Sequence, residues 1–441
     1  NIVCFKDSSG DTRRFIDTRR IVGDRFVLFA GLDDVVVESV AMGVWVAVGG
    51  RHEPARLAGI SHFIEHLLFK GTRTRPARDI SRAIEGRGGY FNAFTQEEST
   101  CYYARVAAEH RWPVFDILAD MYLNPRFAAD DINRERGVIM EEISMYKDQP
   151  HHLVQELLGE LLWWKHPLGR ALIGTEKTVR GISRADILGY KRDRYLPGST
   201  VVIFAGKVDH DQCVEKVQRL LGRTSGAGSQ AFAPAGRQVG QKDVYVLGKD
   251  IEQTHLAIGV RVFGRYDRRR YALKLLSIML GENMSSRLFQ VVREKHGLAY
   301  SVHSSMHLYA DTGVLDIAAG VDTKRMSKAV ELILREVALL KEKLVGAQEL
   351  RRAKDYAIGQ LRIGLENTGS QMMWVGENLL GYGKVISPDE VVRRLEAVDA
   401  GDIREVARQV LHRRNTSAAM ITPGGGKAHA VMLREHLGDL G

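Results

Sequence analysis

Cysteine is scarce in this chain. Cys4, Cys101 and Cys213 are the three among 441 residues. They lie far apart and none has Cys-x-x-Cys spacing, which excludes a disulfide framework, points to a reducing compartment and leaves all three incidental to function. Long apolar runs are missing too. No stretch of about 18 uninterrupted apolar residues occurs, so no membrane-spanning helix is expected. No basic-then-apolar signal segment opens the sequence, although its start, Asn1-Ile2-Val3, lacks a Met, as the start of a trimmed chain does. A basic stripe is also absent. The formal net charge is +9, yet Lys and Arg are interleaved with Asp and Glu along the whole sequence. That pattern describes a solvated surface and not a nucleic-acid face.

What remains is an ordinary globular composition, 44% hydrophobic and 27% charged, which excludes a disordered or fibrous chain. The length is too great for one typical core, and two domains are expected.

The chain is organised around His62-Phe63-Ile64-Glu65-His66. Read as a helix, Leu57, Ile60, Ile64, Leu67 and Leu68 form one apolar stripe, and His62, Glu65 and His66 fall on the opposite side. Two histidines four apart point the same way, so both imidazoles can reach one ion. A catalytic zinc takes three protein ligands and keeps one position open. Glu65 is placed to take a proton and not to bind metal. The order is the inverted form of the His-Glu-x-x-His helix. An ordinary solvated helix face has the same composition, and a chain with 15 His produces such a string by chance on occasion.

Residues 26–32 and 40–48 read as strands, the second ending at Gly49-Gly50. After the histidine helix, Gly86-Arg87-Gly88-Gly89 marks a turn into Tyr90-Phe91-Asn92-Ala93-Phe94-Thr95 and a β-rich segment at 100–106. A helix over about 112–123 follows. Asp130-Asp131 then starts a helix that runs through residue 145. On it Glu135 and Glu142 share a face, while Glu141 is turned about 100° away. An acidic helix face is by default a wet one. A carboxylate from a second helix is also what the histidine pair lacks. Helices at 153–163 and 184–194, a strand at 200–205 and a helix at 212–221 complete the first half. Residues 222–241 are rich in Gly, Ser, Ala and Pro without periodicity and read as a linker. The expected division is a zinc-bearing domain over 1–222, a linker over 223–241 and a second domain over 242–441.

The second half repeats the first. Residues 254–262 resemble the strand ending at Val48, and 271–280 stand where the histidine helix stood, with Gly281 matching Gly71. This copy has no His or Glu in the helix. Residues 350–360 resemble 132–142, with Ala353 and Gln360 in place of Glu135 and Glu142, and 398–421 echo 182–203. The fold expected is α+β: a duplicated α/β-sandwich unit with metal ligands in one copy only.

Four motifs, in order, carry a resemblance that spans nearly the whole chain. They are Gly59 to Thr72 around the histidines, Asn92-Ala93-Phe94-Thr95 with Glu98-Ser99-Thr100, Glu135 to Ile143, and Ser285 to Tyr300. Together they resemble the pitrilysin-type zinc peptidases, the group that holds the mitochondrial processing peptidase, and the length resembles its half-size branch, whose subunits pair into a clamshell. The resemblance implies one zinc per chain held by His62, His66 and Glu142, with Glu65 as general base and Glu135 as a supporting carboxylate. It implies that Arg293 and Tyr300 serve the substrate site of an opposite half, which makes a homodimer the expected assembly. It implies a peptide substrate added as a strand along an edge strand near residues 91–95, with Asn92, Ala93 and Phe94 as contacts. The function expected is a zinc endopeptidase acting on peptides or presequence-like segments, in a bacterial cytoplasm or an organelle matrix. Two rivals stand beside it: a non-catalytic processing or assembly subunit of the same family, and a basic nucleic-acid-binding protein, for which no module is present.

Overall fold

The computed structural model describes residues 4–7, 27–30, 39–222, 231–236, 243–424, 426–438 and 440. The expected linker falls outside the described residues except at 231–236, and the strand expected at 26–32 is described at 27–30.

The chain forms two units, each drawn from separate stretches of sequence. The first comprises Asn1–Ile139, Leu172–Ala231 and Leu361–Val385, and the second Met140–Ala171, Phe232–Gln360 and Ile386–Gly441.

The first unit is built on a four-stranded antiparallel sheet in the order β4-β5-β3-β6, with β3 Ser39–Val46, β4 Tyr90–Thr95, β5 Thr100–Ala107 and β6 Thr200–Gly206. Two short strands, β1 Cys4–Asp7 and β2 Val27–Ala30, pair in parallel as a separate sheet. β3 is buried along its entire length, because it has a partner on each side and cover on both faces. Ala41, Gly43 and Trp45 alternate onto one face, against the helix Thr368–Tyr382. Gly43 is needed there, since a Cβ would lie 2.6 Å from Met372 Sδ. Gly376 on that helix is needed for the same reason, with its would-be Cβ 2.2 Å from the Trp45 ring. The histidine helix packs over β4 and β5.

The second unit holds a five-stranded sheet in the order β7-β11-β8-β10-β9, with β7 Val244–Gly248, β8 Thr254–Val262, β9 Ala299–Leu308, β10 Gly313–Val321 and β11 Thr416–Thr422. Its pairing repeats the first: the long hairpin β9-β10 stands where β4-β5 stands, and β8 lies between β10 and β11 as β3 lies between β5 and β6. The parallel strand β7 is added at one edge. The repeated string Ala-x-Gly-Val-x-Val, at 41–46 and again at 257–262, now has a cause. Gly259 admits the helix Pro150–Leu162, whose Leu162 Cδ1 would lie 2.8 Å from an added Cβ. The duplicated α+β architecture is therefore present.

Several local expectations change. Leu57 belongs to a separate short turn, Ala55–Leu57, and the histidine helix is Ile60–Leu68, ending before Gly71. Phe63 joins its buried face. In the second copy the α-helix Arg270–Ser277 gives way to a wider π-type turn, Ile278–Glu282, so Gly281 lies inside a helical segment and is not a terminus. A Cβ there would meet the Ser304 backbone N at 2.5 Å, so close approach to β9 explains this glycine.

Candidate metal centre

The histidine helix is held at its start by two devices. Gly59 has φ +94°, and a Cβ on it would lie 2.5 Å from Ile173 O. The buried Glu53 accepts from Gly59 N at 2.7 Å and from Ser61 N at 2.8 Å, which satisfies two N–H groups of the first turn. Ile60, Phe63, Ile64, Leu67 and Leu68 are buried, and His62, Glu65 and His66 are left partly exposed on the other side, as the spacing predicts. The two imidazole rings stand 4.6 Å apart.

The helix Ala129–Asp148 supplies the carboxylates, and it is one unbroken helix. Asp130 and Asp131 lie in its first turn, after Ala129. Glu135 is 5% exposed. Its Oε2 lies 3.2 Å from His66 Nδ1, and its Oε1 accepts from Lys70 Nζ at 2.8 Å. An imidazole whose Nδ1 is held by a carboxylate presents Nε2 as its ligand atom. Two turns further along, Glu142 brings a carboxylate oxygen within 4.8 Å of a ring nitrogen of each of His62 and His66, the three donor atoms all lying that close to one another. Glu141 is exposed and stands outside this group. Burial first, and then the neighbouring His66, push the His62 pKa down to about 3, which keeps that ring in the neutral form a metal requires. Two imidazoles and one carboxylate are a donor set that fits a catalytic zinc.

Glu65 is not among the three donors. Its Oε2 accepts from Thr95 Oγ1 at 2.6 Å. Thr95 closes β4, which is an edge strand of its sheet. Phe91 and Thr95 turn toward the histidine helix, where Phe91 meets Phe69 at 5.3 Å. Tyr90, Asn92 and Phe94 turn the other way. Phe94 packs edge-on against Trp45, and Asn92 Nδ2 donates to Tyr90 Oη. Ala93 N donates to the Asn92 side chain.

Arg293 and Tyr300 lie in the second unit and meet each other. Arg293 lies within a π-type turn, Phe289–Lys295, and its guanidinium carbon sits 5.3 Å from the centre of the Tyr300 ring and 4.7 Å from that of Phe289. Tyr300, on edge strand β9, is 77% exposed. Sequence reasoning missed Glu53, Lys70 and Thr95. Lys70, four after His66, carried a usable spacing signal. Glu53 and Thr95 carried none.

Residues 30–176 match the family described as Insulinase (Peptidase family M16), and 181–356 match the Peptidase M16 inactive domain. An uncharacterized zinc protease of Mycobacterium tuberculosis is 40% identical over 394 residues, 89% of this chain and 90% of that protein. One of Bacillus subtilis is 38% identical over 389 residues, 88% of this chain and 94% of that protein. Among solved structures, a protease from Helicobacter pylori has a TM-score of 0.81 at 20% identity, covering 88% of this chain and 94% of that one, which shows a shared fold. The chain belongs to peptidase family M16, and relatives matched over nine-tenths of their length set it in the half-size branch. No helix among the described residues is long and apolar enough to cross a membrane.

Proposed function

We propose that this chain is a zinc-dependent endopeptidase that hydrolyses peptides or unfolded, presequence-like segments. The observation that carries this reading is the convergence of His62, His66 and Glu142 donor atoms beside Glu65 on the histidine helix. His62, His66 and Glu142 would hold one zinc ion per chain. An ion held there would supply Lewis-acid chemistry to a peptide carbonyl and to an attacking water. Glu65 takes the proton from the attacking water and passes it to the leaving amine. Glu135 holds the His66 ring in its ligating orientation, with Lys70 balancing the carboxylate charge. The substrate adds as a strand along β4, where the backbone of Asn92, Ala93 and Phe94 offers pairing groups. Tyr300 supplies a donor to the developing oxyanion, and Arg293, stacked on it, fixes its ring.

In this reading residues 1–222 form the zinc-bearing domain and 242–441 the supporting one, with 223–241 linking them. Two copies close into a chamber in which Arg293 and Tyr300 of one chain serve the zinc of the other. Bacterial relatives and the sparse cysteines support a bacterial cytoplasmic setting.

The test is paired. His62→Ala and His66→Ala should each lose zinc and peptide cleavage together. Glu65→Gln should retain wild-type zinc and lose turnover by about 100-fold or more. A Glu65→Gln protein that cleaves at the wild-type rate would show that the base is misassigned.

A further inference from the structure

A hydroxyl at the end of the strand proposed to receive substrate reaches Glu65. Thr95 Oγ1 donates to Glu65 Oε2 at 2.6 Å, a short bond of the kind a hydroxyl makes to a charged carboxylate. Thr95 is the last residue of β4, and its backbone is paired with Thr100 of β5, so the hydroxyl is delivered from a fixed point of the sheet. Glu65 is partly exposed on a helix, and a Glu side chain there ordinarily samples several rotamers. A strong donor held on the sheet restricts that freedom.

We propose that Thr95 is a positioning residue for Glu65, tying the base to the edge strand on which the substrate is laid. This rests on the peptidase reading above. Glu65 takes the proton from the attacking water and passes it to the leaving amine, while its Oε2 keeps the Thr95 hydroxyl as donor. The Thr95 hydrogen bond stays in place throughout, and no proton crosses it. Substrate register and base position share one mechanical reference. A peptide paired along residues 92–94 has its scissile bond placed relative to Thr95, and Thr95 places Glu65.

A structural role for Thr95 would show in stability or in zinc content. A positioning role shows in kcat. Thr95→Val removes the hydroxyl at nearly constant shape, and Thr95→Ser keeps it. With a fluorogenic peptide, Thr95→Val should lower kcat about 10- to 100-fold, with KM, zinc content and melting temperature close to wild type. Thr95→Ser should restore kcat to within about threefold. A second readout does not depend on activity. High-resolution crystal structures of the wild type and Thr95→Val should show one Glu65 rotamer in the first and several, or a shifted one, in the second.

Unchanged kcat in Thr95→Val, a loss confined to KM, an equal loss in Thr95→Ser, or an unmoved Glu65 would each overturn the proposal. If the wild type cleaves no peptide at all, the peptidase reading falls. The crystallographic comparison still decides whether Thr95 holds Glu65.

Discussion

At the scale of single residues, the choice between Glu141 and Glu142 is decided by helix geometry. Neighbours on a helix point about 100° apart, so one of them can face the histidines. Glu142 does so, and Glu141 is exposed. Glu142→Gln should therefore lower zinc affinity by about 10-fold or more, read by titration against a competing chelator, while Glu141→Gln should bind as the wild type does. Equal losses would remove the basis for the assignment. The histidine pair was legible in sequence because two residues four apart on a helix share a face wherever that helix sits. Glu142 was legible as a candidate only, since an acidic helix face is usually solvent-facing. Thr95 and Glu53 were not legible. Thr95 acts through a contact that the fold creates across 30 residues, and Glu53 reaches 6 and 8 residues ahead across irregular turns that no periodic pattern marks.

At the scale of elements, the two halves of the sequence exchange a helix. Pro150–Leu162, from the first half, covers β8 and β11 of the second unit, and Thr368–Tyr382, from the second half, covers β3 and β6 of the first. The exchange has a consequence for stability. Trp45 is fully buried, and with Ala41, Cys101 and Ile203 it packs against Met372 of the exchanged helix. Burying a large apolar side chain is worth about 1.5–3 kcal/mol. A fragment ending at residue 222 lacks that helix and leaves this face of the sheet in water. Expressed alone, it should bind a hydrophobic dye and lack a sharp near-ultraviolet circular dichroism spectrum. Adding back a peptide spanning residues 361–385 should suppress dye binding. A fragment that is well ordered without the peptide would show that the exchanged helix is dispensable.

For the whole molecule, the testable question is assembly. The zinc donors and the Arg293/Tyr300 pair are far apart in sequence, and the proposed homodimer makes each site from two chains. A subunit with Glu65→Gln and one with Arg293→Ala plus Tyr300→Phe should each form a nearly inactive homodimer. In a doubly tagged mixed dimer one site carries both defects and the other neither. Activity should then return to about half of wild type per dimer by this site count. Activity no higher than that of the two mutant homodimers would place Arg293 and Tyr300 in the service of their own chain.

Linear pattern alone determined the duplicated α+β plan, through its internal repeat, and the histidine helix and several strands, through alternation and the 3.6-residue repeat, which are local properties. Asymmetry between the copies also stood in the sequence, as two histidines and three glutamates, His62, His66, Glu65, Glu135 and Glu142, present once and absent once. Tertiary structure alone decided which helix covers which sheet and why the Ala-x-Gly-Val-x-Val strands need glycine where a helix presses close. It also decided that Glu53 anchors the histidine helix and that Thr95 reaches Glu65. Apart from the Glu53 anchor, which spans a short irregular turn, these depend on contacts between residues far apart in the chain, and a linear pattern does not encode which distant partner will fill a gap that a missing side chain leaves open.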